Sequence, residues 1–183
     1  LLSKSNNFIN FNSKNLSKYF SGIVAFENKN NSEALNFFKS SKILINRHDP
    51  YLKRFIITLV FENKVAQAIN IIKTNSKKSN SDFFESYILL ALDSLKKNNI
   101  NKAIDILAEV PEYLQKDRLN FIIINSLKQY FDVFNNKKIQ KDNQNFGNLS
   151  FISETFQRCY LDDKNTGSFF SKLINNTQAD YSR

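Results

Sequence analysis

Three alanines mark a period that few folds can accommodate. Ala34, Ala68 and Ala103 stand 34 and 35 residues apart, each in the same setting. The settings are Ser32-Glu33-Ala34-Leu35-Asn36-Phe37-Phe38, Ala66-Gln67-Ala68-Ile69-Asn70-Ile71-Ile72 and Asn101-Lys102-Ala103-Ile104-Asp105-Ile106-Leu107. In each, two large apolar residues follow the alanine three and four positions on, the spacing of one helix face. A polar break precedes each, and before the break lies another apolar segment, Phe55 to Phe61 in the middle copy. Self-similarity at this period marks stacked helix pairs. The chain is therefore predicted to be all-α: a right-handed α-solenoid of four to five antiparallel helix pairs, imperfect at the fourth.

Composition supports helices over sheet. Only 3 Gly and 2 Pro occur in 183 residues, too few for the tight turns of a strand-rich fold. The β-branched run at 55–61 could be a buried strand. Asp49-Pro50, a helix-start signal, and matching segments one period away favour helix. The net charge is +9, but Lys outnumbers Arg 21 to 5 in an Asn- and Ile-rich chain. The lysines are also scattered, so the charge reads as a solvated surface. The 55–61 run falls far below the ~20 apolar residues of a membrane span, so no membrane span is expected. Cys159 is the only cysteine, which excludes an intramolecular disulfide. The chain starts at Leu1 without Met, as a fragment or processed form would. No compartment is assigned; the cytoplasm is favoured, with an exported form left open.

One domain over 1-183 is expected. Residues 1–14 form an irregular lead-in whose Phe8–Phe11 patch docks on the first helix. Repeats one to three occupy 15–45, 49–78 and 81–110. In repeat one the second helix runs from about Ser32 to Ile45; in repeat two Asp49 caps the first helix. Pro111 ends repeat three, a long helix covers 116–134, 135–148 is a polar loop, and a fifth pair covers 149–174. In that pair the small residues Thr166, Gly167 and Ser168 before Phe169-Phe170 echo Ala34 before Phe37-Phe38, and Asp162-Asp163 caps the second helix.

These features resemble the tetratricopeptide repeat family, whose 34-residue motif has small residues at its eighth and twentieth positions where the two helices cross. Gly22 with Ala34, and Ala91 with Ala103, fit at the required separation of twelve. In the middle copy Ile56 replaces the first small residue, and a wider crossing is expected there. Phe38, Ile72 and Leu107 meet the large twenty-fourth position; Tyr87 alone supplies the family's aromatic fourth. The resemblance covers 15–112 well and 149–174 loosely. It is similar to bacterial tetratricopeptide proteins of unassigned role, which implies an interaction scaffold and no particular reaction.

Chemistry is sparse. His48 and Cys159 are the only residues of their kinds, and no acid cluster has ligand spacing, so no metal site is expected. His48 reads as an exposed linker or cap, and Cys159 as a small core residue. Gly22, Gly147 and Gly167 are isolated, which excludes a phosphate-cradling loop. No cofactor and no catalytic residue are nominated; the chain is expected not to be an enzyme.

The family binds partners on the concave side formed by each pair's first helix. Its inner positions correspond to Leu16, Tyr19, Ile23 and Phe26; to Pro50, Lys53, Ile57 and Val60; and to Glu85, Ile88, Leu92 and Leu95. From these the expected contacts are Leu16, Tyr19, Ile23, Phe26, Lys53, Ile57, Val60, Ile88, Leu92 and Leu95. This strip is mainly apolar and suits a partner helix or an apolar peptide, unless the superhelix fills its own groove. The family's carboxylate-clamping lysine, asparagine and arginine set is not carried over. The alternative is an RNA-binding helical repeat with a basic rim of Lys96, Lys97, Lys137, Lys138 and Lys141. Nucleic acid is disfavoured because the inner positions lack recurring polar and basic side chains. Oligomeric state is not legible.

Overall fold

The computed structural model describes residues 13–75, 82–140 and 146–175. Among them the chain is all-α, with no strand. The expected docking of Phe8–Phe11 lies outside the described residues, as do 76–81 and 141–145, Lys141 included.

Helices α1 (Ser13–Glu27) and α2 (Asn31–Ser40) are followed by a short 3-10 turn (Lys42–Asn46), then α3 (Asp49–Phe61) and α4 (Val65–Asn75). Next come α5 (Phe84–Lys96), α6 (Ile100–Ala108), a one-turn α7 (Glu112–Gln115), α8 (Arg118–Asn136), α9 (Asn148–Tyr160) and α10 (Thr166–Ile174). By packing, the chain divides into two compact units, Leu1–Ser86 and Tyr87–Arg183, where the sequence predicts one domain. The division falls in the first turn of α5.

The three-fold repetition reappears in the backbone. Lys29, Asn63 and Asn98 all adopt left-handed conformations, with φ of 62°, 58° and 58°, at the same 34- and 35-residue spacing. Each follows the end of a helix, and the next residue closes the turn. Asn30 N donates to Ala25 O (2.9 Å), Lys64 N to Leu59 O (2.8 Å) and Asn99 N to Ser94 O (2.9 Å). These bonds satisfy carbonyls that a helix end would otherwise leave exposed. The side chains of Asn30 and Asn99 then accept from the N–H three residues on, at Glu33 (3.3 Å) and Lys102 (3.2 Å), and so start α2 and α6. Five residues after each left-handed residue comes the alanine, and all three alanines are fully buried. The turn fixes where the second helix starts, and that start carries the small residue into the core.

In the first unit α1 packs on α2, and both pack on α3, which packs on α4. The core is aromatic: Tyr19 lies 5.9 Å from the Phe38 ring and 5.8 Å from the Tyr51 ring. At Gly22 the helices nearly touch. A Cβ built there would fall 2.8 Å from Phe38 Cε1. In the second unit Ala91, Ala103, Leu107 and Phe131 form the buried centre, flanked by Ile88, Leu95, Ile104, Leu127 and Phe134.

Several boundaries differ from expectation, each for a local reason. α1 begins at Ser13, inside the predicted lead-in. α2 stops at Ser40 because serine hydroxyls compete for its last carbonyls: Ser41 Oγ donates to Phe37 O (2.9 Å), and Tyr51 OH donates to Phe38 O. The chain continues as the tighter 3-10 turn. His48, not Asp49, is the N-cap of α3; its backbone is extended (φ −146°, ψ 100°) and Asp49 is already helical. α8 is capped by Asp117, whose side chain accepts from Asn120 N at 3.0 Å, and runs on to Asn136. Asn135 and Asn136, placed in a loop by the sequence, are therefore helical; Lys137 ends the helix in the left-handed region (φ 53°). Thr166, Gly167 and Ser168 do not echo the buried Ala34: Thr166 is half-buried, Gly167 and Ser168 are exposed, and nothing lies within 4 Å of a Cβ built at Gly167.

α9 joins α8 through polar contacts. Ser153 Oγ donates to Gln129 Oε1 (2.9 Å), and Gln129 Nε2 donates to Gln140 O (2.9 Å). Gln140 N donates to Gln157 Oε1 (2.9 Å), and Gln157 Nε2 donates to Ser153 Oγ (3.3 Å), closing a ring. Both backbone groups of Gln140 are held by glutamine side chains. Gln157 and Ser153 are buried, where unpaired amides would be costly. The buried residues of α9 are Ser153, Thr155 and Gln157, and Cys159 is exposed, not in the core. At the α9–α10 turn Asp163 Oδ1 accepts from Asn165 N (2.7 Å), and Arg158 bridges Glu154 (2.5 Å) and Asp163 (3.2 Å) over the Phe169 ring.

Candidate interaction surface

The side chains expected to line a binding face are distributed unequally. In the first unit Leu16, Ile23, Phe26, Ile57 and Val60 are half-buried and Lys53 is exposed. Tyr19 is only 2% exposed: it is a core residue and is withdrawn from the face. The physical reason is its place between α2 and α3, where the rings of Phe38, Tyr51 and His48 surround it. His48 is accordingly half-buried, its ring centroid 4.8 Å from that of Tyr19 in an edge-on arrangement, and is not the exposed linker expected. Phe26 stacks on Phe61 at 5.8 Å and 20°, so one side of this strip is occupied by an aromatic pair.

Charges on the strip are matched internally. Lys53 Nζ lies 2.9 Å from Glu85 Oε1, and Arg54 lies 3.5 Å from Glu27. Within the second unit Ile88 and Leu95 pack against the buried centre, whereas Leu92 is 41% exposed.

Burial sets the chemistry of the two central tyrosines. The Tyr51 hydroxyl is pushed well above its ordinary pKa by desolvation, against a smaller lowering from the Ser41 hydroxyl. Tyr19 is raised by the same cause, with Arg54 acting in the opposite direction. Both hydroxyls thus stay protonated at neutral pH and serve packing and hydrogen bonding. Among the described residues no group of three or more His, Cys, Asp or Glu side chains could hold a metal ion. No helix among them is long and apolar enough to cross a membrane.

A second surface was not singled out from the sequence. A cleft of about 600 Å³ lies along the α1–α2 pair, on the side of α1 away from its aromatic core. It is lined by Phe20, Val24, Ala25 and Phe37 together with Ser17, Ser21, Asn28, Asn30 and Glu33. Phe20 and Val24 are 54% and 60% exposed despite their apolar side chains. One turn apart, they form a ridge beside the small residues Ser17 and Ser21. That i, i+4 pair, about 100° round the helix from the Tyr19–Ile23 stripe, is the sequence signal that could have disclosed the cleft. No known protein family, curated protein or solved structure matches this chain.

Proposed function

We propose that this chain is a tetratricopeptide-like α-solenoid acting as a non-enzymatic scaffold, which holds a partner helix or apolar peptide on the face of its first-position helices. The observation that carries the reading is the joint recurrence of left-handed turns at Lys29, Asn63 and Asn98 with buried alanines five residues later. Repeated turns and close crossings of this kind suit stacked pairs, whose neighbouring helices build extended binding surfaces. Leu16, Ile23, Phe26, Ile57 and Val60 supply apolar contacts in the first unit; Ile88, Leu92 and Leu95 supply them in the second. An RNA-reading repeat is less well supported, because on the basic rim Lys97 pairs with Asp93 at 2.8 Å and Lys137 Nζ donates to Tyr160 OH at 2.5 Å.

The test is substitution of Ile23 and Ile57 by lysine, singly, with helicity and melting checked by circular dichroism. Retained folding with loss of captured protein partners is the expected result. Unchanged capture by folded variants refutes the face. Salt-sensitive retention of the wild type on polyribonucleotide, with no protein partner, refutes the class.

A further inference from the structure

We infer that the α1–α2 cleft is the seat of this chain's own residues 1–12, which cover α1 as residues 35–46 cover α3. Ser17, Phe20, Ser21, Val24 and Ala25 line the cleft on α1. One 34-residue period on, the same positions are Tyr51, Arg54, Phe55, Thr58 and Leu59 in α3. The two helices share one frame to the last residue, since Glu27 ends α1 and Phe61 ends α3. In α3 Tyr51, Phe55, Thr58 and Leu59 are at most 1% exposed. Tyr51 shows what shelters this arc: its ring lies 6.1 Å from that of Phe38, and its hydroxyl donates to Phe38 O. The preceding helix α2 and the 3-10 turn after it both pack on α3. The place they occupy there is the place left open on α1.

One period before residues 35–46 stand residues 1–12. Phe8-Ile9-Asn10-Phe11-Asn12 aligns with the 3-10 turn Lys42-Ile43-Leu44-Ile45-Asn46. Ile9 and Asn12 repeat Ile43 and Asn46, while Phe11 and Leu1 stand for the buried Ile45 and Leu35. Lys4 and Asn10 stand where Phe38 and Leu44 do, so the match is one of place and not of every side chain. Size compensates. Where α3 brings Tyr51 and Phe55, α1 brings only Ser17 and Ser21, so the covering segment has to supply the bulk, and Phe8 and Phe11 are bulky. Reach is sufficient: from Phe8 to Ser13 the extended chain spans up to ~17 Å, and Ser21 lies about 12 Å along α1 from Ser13. A tethered segment also meets the cleft at an effective concentration of roughly millimolar, which favours it over a second copy. This surface is separate from the face invoked above, so either can fail without the other.

The chain has no Trp, so Phe20→Trp places a single reporter in the cleft. Its emission in the full chain is expected to be that of a sheltered indole at every protein concentration. Replacing both Phe8 and Phe11 by serine is expected to shift it to the red, with helicity by circular dichroism unchanged. A second measurement does not depend on that variant folding. In a Cys159→Ser background, Phe8→Cys with Ser21→Cys is expected to form an intramolecular disulfide at least ~10-fold faster than Phe8→Cys with Ile23→Cys. Ile23 is the control because it lies about 200° round α1 from Ser21. An indole already exposed before the serines are introduced, an emission indifferent to them, or equal rates for the two cysteine pairs overturns the inference. Shelter that appears only as concentration rises, or a disulfide that forms between chains, gives the cleft to a second copy and overturns it too.

Discussion

Replacing Gly22 by alanine sets two effects of opposite sign against each other, and the structure decides between them. Within a helix interior alanine is favoured over glycine by about 1 kcal/mol, because it loses less backbone freedom on folding. At Gly22 the added methyl would lie 2.8 and 2.9 Å from Phe38 Cε1 and Cδ1, and 3.2 Å from Phe37 Cβ. Relief requires the Phe38 ring to move, and that ring is fully buried between Tyr19 and Tyr51. Forcing a methyl into such a site costs about 1–3 kcal/mol. The expected net effect is a destabilisation of about 1 kcal/mol, lowering the melting temperature by roughly 2–4 °C for a chain of this size. Gly167→Ala is the internal control: it is helical too, but nothing lies within 4 Å of the built Cβ. There the propensity term stands alone, so a gain of up to ~1 kcal/mol is expected. Urea unfolding followed by circular dichroism gives both midpoints. If Gly22→Ala stabilises as Gly167→Ala does, α1 and α2 do not cross closely, and the argument from small residues falls.

Lys29→Gly should stabilise by about 0.5–1 kcal/mol, since a left-handed conformation costs an L-residue roughly 1–2 kcal/mol and glycine's greater unfolded entropy returns part of it. Asn63→Gly should gain less, because asparagine tolerates that conformation better; thermal melts would rank the two. At alkaline pH the raised Tyr51 and Tyr19 hydroxyls keep protons that the unfolded chain releases from about pH 10 upward. Stability should be fully present below that value and fall as pH rises, by up to ~1.4 kcal/mol per pH unit for Tyr51. Denaturation midpoints on either side of pH 10 check this, and Tyr51→Phe should flatten the slope. Gln157→Ala opens the polar ring and leaves the partly buried Gln140 N–H without its acceptor, at an expected cost of about 1–3 kcal/mol. Faster hydrogen exchange at the Gln140 amide would report it.

The all-helical class was legible because three alanines share a frame, and the frame survives in the backbone as three turns with one geometry. Asn63 and Asn98 could be read as turn residues from type alone; Lys29 could not, since lysine carries no such preference. The early stop of α2 was hidden because serine hydroxyls, not a change of periodicity, take its last carbonyls. Cys159 was misplaced for a related reason. A cysteine on a helix was read as a small core residue, but the buried residues of α9 are Ser153, Thr155 and Gln157. Tyr19 was assigned to a surface because a helical position does not say which of two neighbouring helices covers it. Phe20 and Val24 were overlooked in turn, since an apolar residue does not announce that it faces water.

The closed circuit of amides around Gln140 has a consequence for how the end of the chain comes apart. Its four links run head to tail and involve no charged group, so ionic strength and mild acidity should leave that joint untouched. A solute that competes for amides acts on it directly, whereas the aromatic interior of the first unit yields chiefly to agents that dissolve oily surface. Urea should therefore loosen α9 at concentrations where the rings around Tyr19 still hold, and guanidinium and urea titrations should dismantle the molecule in the same order.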